Sequence, residues 1–333
     1  MPANLTPIYK KAEQAYREAV TAEEELQCLQ VMLREMPKHK GTDALQAELK
    51  AKISKAKKSM EAERASGKKG GGMSFRIPKQ GAGMAIILGA PNAGKSQLLA
   101  GLTKATPKIA AHPFTTQLPQ PGMMPWEDVT VQLIDTPPIT PDFIEPYTYG
   151  LIRGANLALL MMDASTDDGV ETCVEVWEKL QAGRTRLADE SYLDDEDIGL
   201  SYTRAFFVPN KMEEPGAADR VALFHELCPA KLPEYPISAL TGDGLETLRN
   251  AIYAAMNVIR VYTKLPTSKT PDMDRPFTLL AGSTLLELAE LIHKDYVEKF
   301  KYAKVWGTAV HDGTPMKGDY VLNDKDVVEI HVA

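Results

Sequence analysis

The chain has only three cysteines among its 333 residues, scattered at Cys28, Cys173 and Cys228. Such spacing matches neither a disulfide framework nor the paired cysteines of a structural zinc site. No apolar run approaches the roughly 18 residues that a membrane-spanning helix requires. The amino terminus also lacks the features of a secretory signal. We therefore expect a protein of the reducing cytoplasm without a membrane anchor.

The composition is otherwise ordinary for a globular protein, with 44% hydrophobic and 25% charged residues. The chain is longer than a single hydrophobic core usually includes, which predicts two or three domains. Residues 1–80 hold 16 Lys and Arg against 10 Asp and Glu, whereas the remainder holds 22 against 35. A basic arm on an acidic body suits nucleic-acid contact, and it equally suits a solvated helical hairpin.

Residues 6–64 predict two helices, because apolar positions recur at helical spacing on both sides of the breaker "MPKHKGT". Thr42 is a suitable N-cap for the second helix. The stretch "SGKKGGG" predicts a flexible linker. We assign residues 1–82 to this basic hairpin and linker.

Residues 83–258 alternate short apolar runs with helix-like segments, which predicts a mainly parallel α/β sheet with helices on both faces. The runs are "MAIILG", "VTVQLID", "LALLMMD", "RAFFVPN" and "EYPIS". The acidic segment "LADESYLDDEDIGL" predicts a solvated loop. Residues 259–333 predict a separate small α+β module, with a strand, a capped helix and two further strands.

The segment "GAPNAGKS" at 89–96 matches G-x-x-x-x-G-K-[ST] between an apolar strand and a helix-like segment. In such a loop, backbone N–H groups converge on phosphate oxygens at a helix N-terminus. Gly89, Ala93 and Gly94 would shape this cradle. Lys95 would reach the β- and γ-phosphates, and Ser96 would ligate Mg²⁺.

Further motifs resemble one family in particular. "GAPNAGKSQLLAGLT", "AAHPFTTQLPQPG" and "PISALTGDGLETL" resemble nucleotide-site motifs of the Obg-group GTPases, and "IRVYTK", "IHKDYVEKFKYAKVWG" and "LNDKDVVEI" resemble a TGS module. Together they are similar to the developmentally regulated GTP-binding (DRG) proteins. The resemblance implies a P-loop NTPase fold with a Ras-like sheet, an N-terminal helical hairpin and a C-terminal β-grasp TGS domain.

The resemblance also implies roles for individual residues. Thr116 and Asp135 would join Ser96 around Mg²⁺, and Asn92, Lys95 and Thr116 would take part in catalysis. Asn210, Lys211 and Glu213 would hold the base. The loop of Ser238, Ala239 and Leu240 would support it. GTP or GDP with Mg²⁺ would be the cofactors. Hydrolysis would be slow, because Ile139 cannot orient the attacking water.

Two prolines follow Asp135 in "LIDTPPIT". The family places a glycine at the position of Pro138 and uses its N–H to bond the γ-phosphate, but proline has no N–H. Either the protein distinguishes GTP from GDP only weakly, or a neighbouring amide such as that of Ile139 donates the missing hydrogen bond to the γ-phosphate. We predict a small preference for triphosphate over diphosphate.

Other departures concern catalysis and the base. Ile139 stands where many GTPases carry a water-orienting glutamine. Asn92 suits either a K⁺ site that assists hydrolysis or a side-chain hydrogen bond that stabilises the loop. Glu213 replaces the aspartate of N-K-x-D, so adenine specificity remains an alternative, although Asn210 and Lys211 favour guanine.

The expected partner is the large ribosomal subunit or its RNA, contacted through the TGS domain and a basic arm. The arm's lysines are Lys50, Lys52, Lys55, Lys57 and Lys58. Two other functions remain open, namely a P-loop enzyme of metabolism and a nucleotide-stabilised scaffold that binds RNA or protein with little turnover. We expect a monomer.

Overall fold

A computed structural model describes residues 7–18, 22–36, 46–47, 49–54, 57, 77–103, 118–194, 200–268 and 270–332. These residues form a group of N-terminal helices and two separate β-sheets. Among them, no helix is both long enough and apolar enough to cross a membrane.

The described part of the N-terminal region contains the amphipathic helices α1 (Pro7–Glu18) and α2 (Ala22–Glu35), which pack against each other, and residues 46–47, 49–54 and 57 are also helical. Their apolar faces form one cluster with the fully buried Leu49; its other members are Tyr9, Ala12, Tyr16, Leu29, Met32 and Met36. The prediction of one helix over 6–36 is therefore wrong. The overlooked signal is Thr21 followed by Glu24, which has the spacing of a capping box and marks a new helix start.

The larger sheet has the strand order β2-β3-β1-β4-β7-β5, with β6 paired to β7. Its strands are β1 (Met84–Gly89), β2 (Gln120–Trp126), β3 (Val129–Asp135), β4 (Leu157–Asp163), β5 (Thr185–Ala188), β6 (Tyr192–Leu193) and β7 (Ser201–Asn210). All neighbours are parallel except β2 with β3 and β6 with β7. The central strands are apolar along their length because helices cover both faces.

Five helices cover this sheet. They are α3 (Lys95–Leu102), α4 (Pro146–Gly154), α5 (Asp167–Gln181), α6 (Ala217–Leu227) and α7 (Leu245–Met256). Helices α3 and α7 contribute to the apolar cluster on one face, and α4, α5 and α6 to the cluster on the other. Helix α1 packs against α4 and so attaches the N-terminal helices to this domain. The predicted α/β class with helices on both faces is confirmed.

Three local predictions differ from the structure. The run "EYPIS" forms an isolated bridge to β7 rather than a strand. The N–H groups of Tyr235 and Ile237 donate to the carbonyls of Phe207 and Pro209, but Pro209 has no N–H with which to continue the ladder. Strand β2 was not predicted, since two prolines and a glycine interrupt it. It is tolerated at the sheet edge, where a missing donor costs little. The segment predicted as a loop at 187–200 contains β6, and its residues 195–199 lie outside the described residues.

The second sheet has the order β11-β10-β12-β8-β9, with only β12 and β8 parallel. Its strands are β8 (Val258–Thr263), β9 (Asp272–Leu280), β10 (Phe300–Gly307), β11 (Val310–Met316) and β12 (Asp326–Val332), with α8 (Leu285–Ile292) and α9 (Lys294–Glu298) between β9 and β10. The capped helix is confirmed as α8, where Thr284 and Glu287 form a capping box. The proposed boundaries at 82/83 and 258/259 stay predictions.

Candidate nucleotide-binding site

The site lies at the carboxyl edge of the larger sheet, where β1, β3, β4 and β7 end at Gly89, Asp135, Asp163 and Asn210. In open α/β sheets, ligands bind at this edge, beyond the carboxyl ends of the strands. Asp163 pairs in register with Asn210, and Ile87 pairs with Asp135. Residues that are far apart in sequence therefore converge on one edge.

The phosphate loop has the backbone geometry that its glycines predict. Gly94 has φ +94°, and a Cβ there would lie 2.1 Å from Nδ2 of Asn210. Asn92 also has a left-handed backbone, with φ +61°. Ala93 is buried, and its carbonyl accepts a hydrogen bond of 3.0 Å from Asn210. The loop is thus held open over the start of α3.

Lys95 is the buried cation of this loop. Its Nζ donates hydrogen bonds to the carbonyls of Gly89 and Ala90 at 3.0 and 2.8 Å. Burial lowers the pKa of Lys95 to about 8, although the nearby charge of Asp135 opposes that shift. An approaching phosphate would favour the charged form, so the side chain is poised to bind anions.

Ser96 and Asp135 have the donor set and the arrangement for Mg²⁺. Ser96 Oγ donates a 2.5 Å hydrogen bond to Asp135 Oδ2, and burial raises the pKa of Asp135 despite this bond and Lys95. Asp135 Oδ1 is buried and has no hydrogen-bond partner among the described residues. The described residues hold no group of three or more His, Cys, Asp or Glu side chains placed to bind a metal ion. Thr116, the third predicted ligand, lies outside the described residues.

The segment after Asp135 is attached to the phosphate loop. Thr136 Oγ1 donates to the Ile87 carbonyl at 2.6 Å, and the Ile139 N–H donates to the Gly89 carbonyl at 3.1 Å. The side chain of Ile139 is buried in the core. An Ile139 amide that replaced the missing Pro138 donor would therefore have to leave Gly89 and move its side chain.

Asn210 joins three loops at the predicted base site. Its Nδ2 donates to Ala93, and its Oδ1 accepts a 2.9 Å bond from the Ala239 N–H. Ser238 is buried, and its Oγ accepts from the N–H of Thr241 at 3.0 Å. The structure thus brings the phosphate loop and the Ser238–Leu240 segment together around one side chain. Leu240 itself is 71% exposed.

Asp163 is a site residue that the sequence reasoning missed. It forms a short salt bridge with Lys211 and accepts bonds from the Ser165 N–H and Oγ at 2.9 and 2.6 Å. Burial would raise the pKa of Asp163, but these hydrogen bonds hold it below its usual value. Its position at the end of an apolar strand, as in "LLMMD", was the available signal.

Two predicted residues have no contact within the described part of the chain that orients their side chains. Glu213 is exposed, with no hydrogen bond or ion pair to the described residues. The exposed Asn92 side chain likewise has no hydrogen bond within the described part of the chain. The loop-stabilising alternative for Asn92 therefore gains no support from this conformation.

The fold and the site together define a P-loop nucleotide-binding protein. Two family models match the chain, "50S ribosome-binding GTPase" over residues 84–188 and "TGS domain" over 259–332. The first match covers the phosphate loop and Asp135, and the second covers the smaller sheet.

Named relatives match most of the chain. A GTP-binding protein of Methanocaldococcus jannaschii is 28% identical over 92% of each chain. Developmentally regulated G-protein 2 of Arabidopsis thaliana is 27% identical over 88% of this chain and 87% of its own. Developmentally regulated GTP-binding protein 1 of Xenopus laevis is 26% identical over 88% and 94%. Among solved structures, a GTP-binding protein from Pyrococcus horikoshii has a TM-score of 0.45 at 14% identity, covering 75% of this chain and 100% of that one.

The chain thus combines a GTPase domain with a C-terminal TGS domain, and it is related to the developmentally regulated GTP-binding proteins. The predicted family resemblance and P-loop fold class are confirmed.

Proposed function

We propose that this protein binds GTP and GDP with Mg²⁺, hydrolyses GTP slowly, and acts as a switch on the large ribosomal subunit. The observation that carries the nucleotide part is the convergence of Lys95, Ser96–Asp135 and Asn210 on one sheet edge. Lys95 would bind phosphates, and Asn210 would hold the base loop against the phosphate loop. Ser96, Asp135 and Thr116 would hold a Mg²⁺ ion, and this ion would neutralise charge on the phosphates.

We expect slow hydrolysis because an isoleucine occupies the position at which many GTPases orient the attacking water. Ile139 is buried and cannot orient a water, so positioning must come from Lys95, Thr116 and the phosphate loop. Asn92 is exposed on that loop and free to ligate K⁺, which could offset charge between phosphate groups. Hydrolysis that is several times faster in KCl than in NaCl would support this role, and equal rates would remove it.

Guanine is the base that we propose. Lys211 is retained and is oriented by Asp163, so its stem can lie along a base. Glu213 keeps both acceptors of the usual aspartate on a longer, exposed side chain that can turn towards the base. Leu240 is exposed beside the same loop. Together, Lys211, Glu213 and the Ser238–Leu240 segment would form the base pocket.

The ribosomal role is supported by the TGS domain, by the description of the matching GTPase family, and by the lysines of the arm. Lys50 and Lys57 are exposed, whereas Lys55 and Lys58 lie outside the described residues. Such lysines would bind rRNA phosphates in a salt-dependent way. We propose a cytoplasmic monomer as the acting form.

A second candidate is a nucleotide-stabilised scaffold with little turnover. Its support is the Ile139–Gly89 hydrogen bond, by which the segment after Asp135 is attached to the phosphate loop through groups of the protein itself. A segment that is already attached changes little between GDP and GTP. The protein would then bind its partner in both nucleotide states.

The test is calorimetric titration of the nucleotide-free chain with GDP, a non-hydrolysable GTP analogue, ADP and the matching ATP analogue, with Mg²⁺ and K⁺. Binding of guanine nucleotides only, abolished by Asn210→Ala, supports the proposal; tighter adenine binding overturns it. Co-sedimentation with separated ribosomal subunits then distinguishes switch from scaffold. A switch sediments with the large subunit in one nucleotide state, whereas a scaffold does so equally in both.

A further inference from the structure

A buried arginine of the TGS domain lies at the centre of its contact with the GTPase domain. Arg260 on β8 has a side chain only 3% exposed. It binds Asp324 of its own domain, with Nη2–Oδ2 and Nε–Oδ1 distances of 2.8 and 3.1 Å. Its Nη1 also binds Glu127 and Asp128 in the turn between β2 and β3, the latter at 2.8 Å. One guanidinium thus bridges the two domains.

Aromatic rings complete this junction. Trp126 and Tyr253 stack with ring centroids 3.5 Å apart, and the Arg260 guanidinium lies 5.0 Å from the first ring and 5.9 Å from the second. Tyr262 of β8 donates a hydrogen bond to Asp128. Only arginine offers a flat cation with a fork of donors that can stack and bind several carboxylates together. Loss of Arg260 would leave three carboxylates facing one another.

The turn that Arg260 holds belongs to a hairpin that ends at the nucleotide site. Strands β2 and β3 pair without a break from Trp126–Val129 at the turn to Gln120–Asp135 at the far end. Six residue steps at about 3.4 Å place the turn roughly 20 Å from Asp135. A fully paired ladder of this length moves as a unit, so a displacement at one end reaches the other.

We propose that Arg260 is a positioning residue for the nucleotide site, which acts through the β2–β3 hairpin to couple the occupancy of that site to the docking of the TGS domain. The inference rests on the proposed nucleotide function. Coupling of this kind is reciprocal, so nucleotide must stabilise TGS docking as much as docking favours nucleotide. The TGS domain is then part of the switch and not a separate attachment.

The charges of the junction separate two kinds of variant. Glu127→Gln with Asp128→Asn removes the carboxylates of the hairpin and leaves the Arg260–Asp324 pair intact. Asp324→Asn weakens Arg260 within the TGS domain and leaves the hairpin contacts. Lys325→Met is a matched control, because Lys325 lies 3.6 Å from Glu127 at the exposed rim of the same junction.

The experiment is amide hydrogen exchange of the full chain, with and without saturating Mg²⁺–GDP or the GTP analogue. In the parent chain and in Lys325→Met, we expect at least one nucleotide to slow exchange in β8 and β12 by about fivefold or more. In Glu127→Gln/Asp128→Asn this ratio should fall to about one, while β1 and β4 stay protected. A merely structural role would raise exchange in both states and leave the ratio unchanged, as we expect for Asp324→Asn.

Each outcome decides the matter. Nucleotide binding in the parent chain without any change in β8 and β12 would overturn the coupling alone. So would a ratio that survives in the double variant. Absence of guanine-nucleotide binding by calorimetry would remove the proposed function, and this inference with it.

Discussion

Lys211 shows at the scale of one residue how the base site is organised. Its backbone is left-handed, with φ +65°, which is uncommon for a residue with a side chain. From this backbone the Lys211 side chain reaches Asp163, and their salt bridge fixes its direction. Because Asp163 ends the neighbouring strand, the two loops that flank the base are joined by one ion pair. Under the proposed function, Asp163 would position Lys211 beside the base.

Asp163→Asn should lower the affinity for GDP and for the GTP analogue by the same factor. The asparagine can still accept the Ser165 bonds, but it loses the charge that holds Lys211. One charge-assisted hydrogen bond is worth about 1.5–3 kcal/mol, and partial exposure reduces this, so we expect about a threefold to tenfold loss of affinity. Calorimetry with GDP and the GTP analogue measures it.

A matched control for this substitution is Asp167→Asn, which removes an exposed pair with Arg220 on the next helix. It should leave nucleotide affinity unchanged. If Asp163→Asn altered the binding of only one of the two nucleotides, the pair would act on the phosphates, and the base-site assignment would be wrong.

The segment from Asp135 to Ile139 illustrates the scale of an element. Its prolines have no N–H, and its last amide is already bonded to Gly89. Proline at two successive positions also restricts the backbone before any ligand arrives. The segment is therefore pre-formed, which is the opposite of a loop that orders only when triphosphate binds. This geometry supports the damped alternative over the compensating amide.

Pro138→Gly should restore a preference for triphosphate. A glycine N–H at this position could donate to the γ-phosphate, a bond worth about 1.5–3 kcal/mol. The added backbone freedom offsets about 0.5–1 kcal/mol of this. We expect the ratio of GTP-analogue to GDP affinity to rise about tenfold, measured by the same titrations.

The exposed Pro141 supplies the control, because Pro141→Gly adds comparable freedom three residues further on. An unchanged ratio in both variants would mean that the position of Pro138 does not face the γ-phosphate. A parent chain that already prefers triphosphate more than about a hundredfold would also contradict the damped switch.

At the scale of the molecule, both attached units contact the domain that binds nucleotide. Helix α1 packs on α4, which follows the segment from Asp135 to Ile139 in the chain. Arg260 holds the turn of the β2–β3 hairpin, which precedes that segment. The hydrogen bonds that Arg260 donates, chiefly to Asp324, raise the pKa of Arg260. The hydrogen bond from Arg260 lowers the pKa of Glu127. Burial acts to raise the pKa of Asp128 and of Asp324, but hydrogen bonds from Tyr262 and Arg260 to Asp128, and from Arg260 to Asp324, keep both pKa values below their usual range.

These pKa shifts predict how the junction depends on pH. A carboxyl whose folded pKa lies below its unfolded value stabilises the fold above the unfolded pKa, here 3.8 for Asp and 4.5 for Glu. That stabilisation is lost as the pH falls through the folded pKa. Arg260→Met should therefore lower stability by about 2 kcal/mol at neutral pH, and the gap should shrink as the pH falls below 4.5 and 3.8 and close once the pH has passed the lowered folded pKa values of these carboxyls.

Denaturant unfolding of the parent and the variant across this pH range measures the gap. Arg249→Met, which removes a pair with the exposed Glu246 on α7, should show no comparable closing. A gap for Arg260→Met that stays constant down to about pH 2.5 would show that the carboxylates do not hold the arginine.

Local chemistry in the sequence determined much of this protein. The phosphate loop follows from glycines and a lysine within eight residues, and the strands β1, β4 and β7 follow from apolar runs covered on both faces. The capping box of α8 spans four residues. Each of these signals is complete within one short stretch, so sequence alone suffices.

Tertiary structure alone decided three other features. Strand β2 forms despite its prolines because it lies at an edge beside β3. Asp163 meets Lys211 across 48 residues of chain, and Arg260 meets Asp128 across 132. Pairings over such separations depend on how strands order and helices pack, and no local pattern of residues encodes that order.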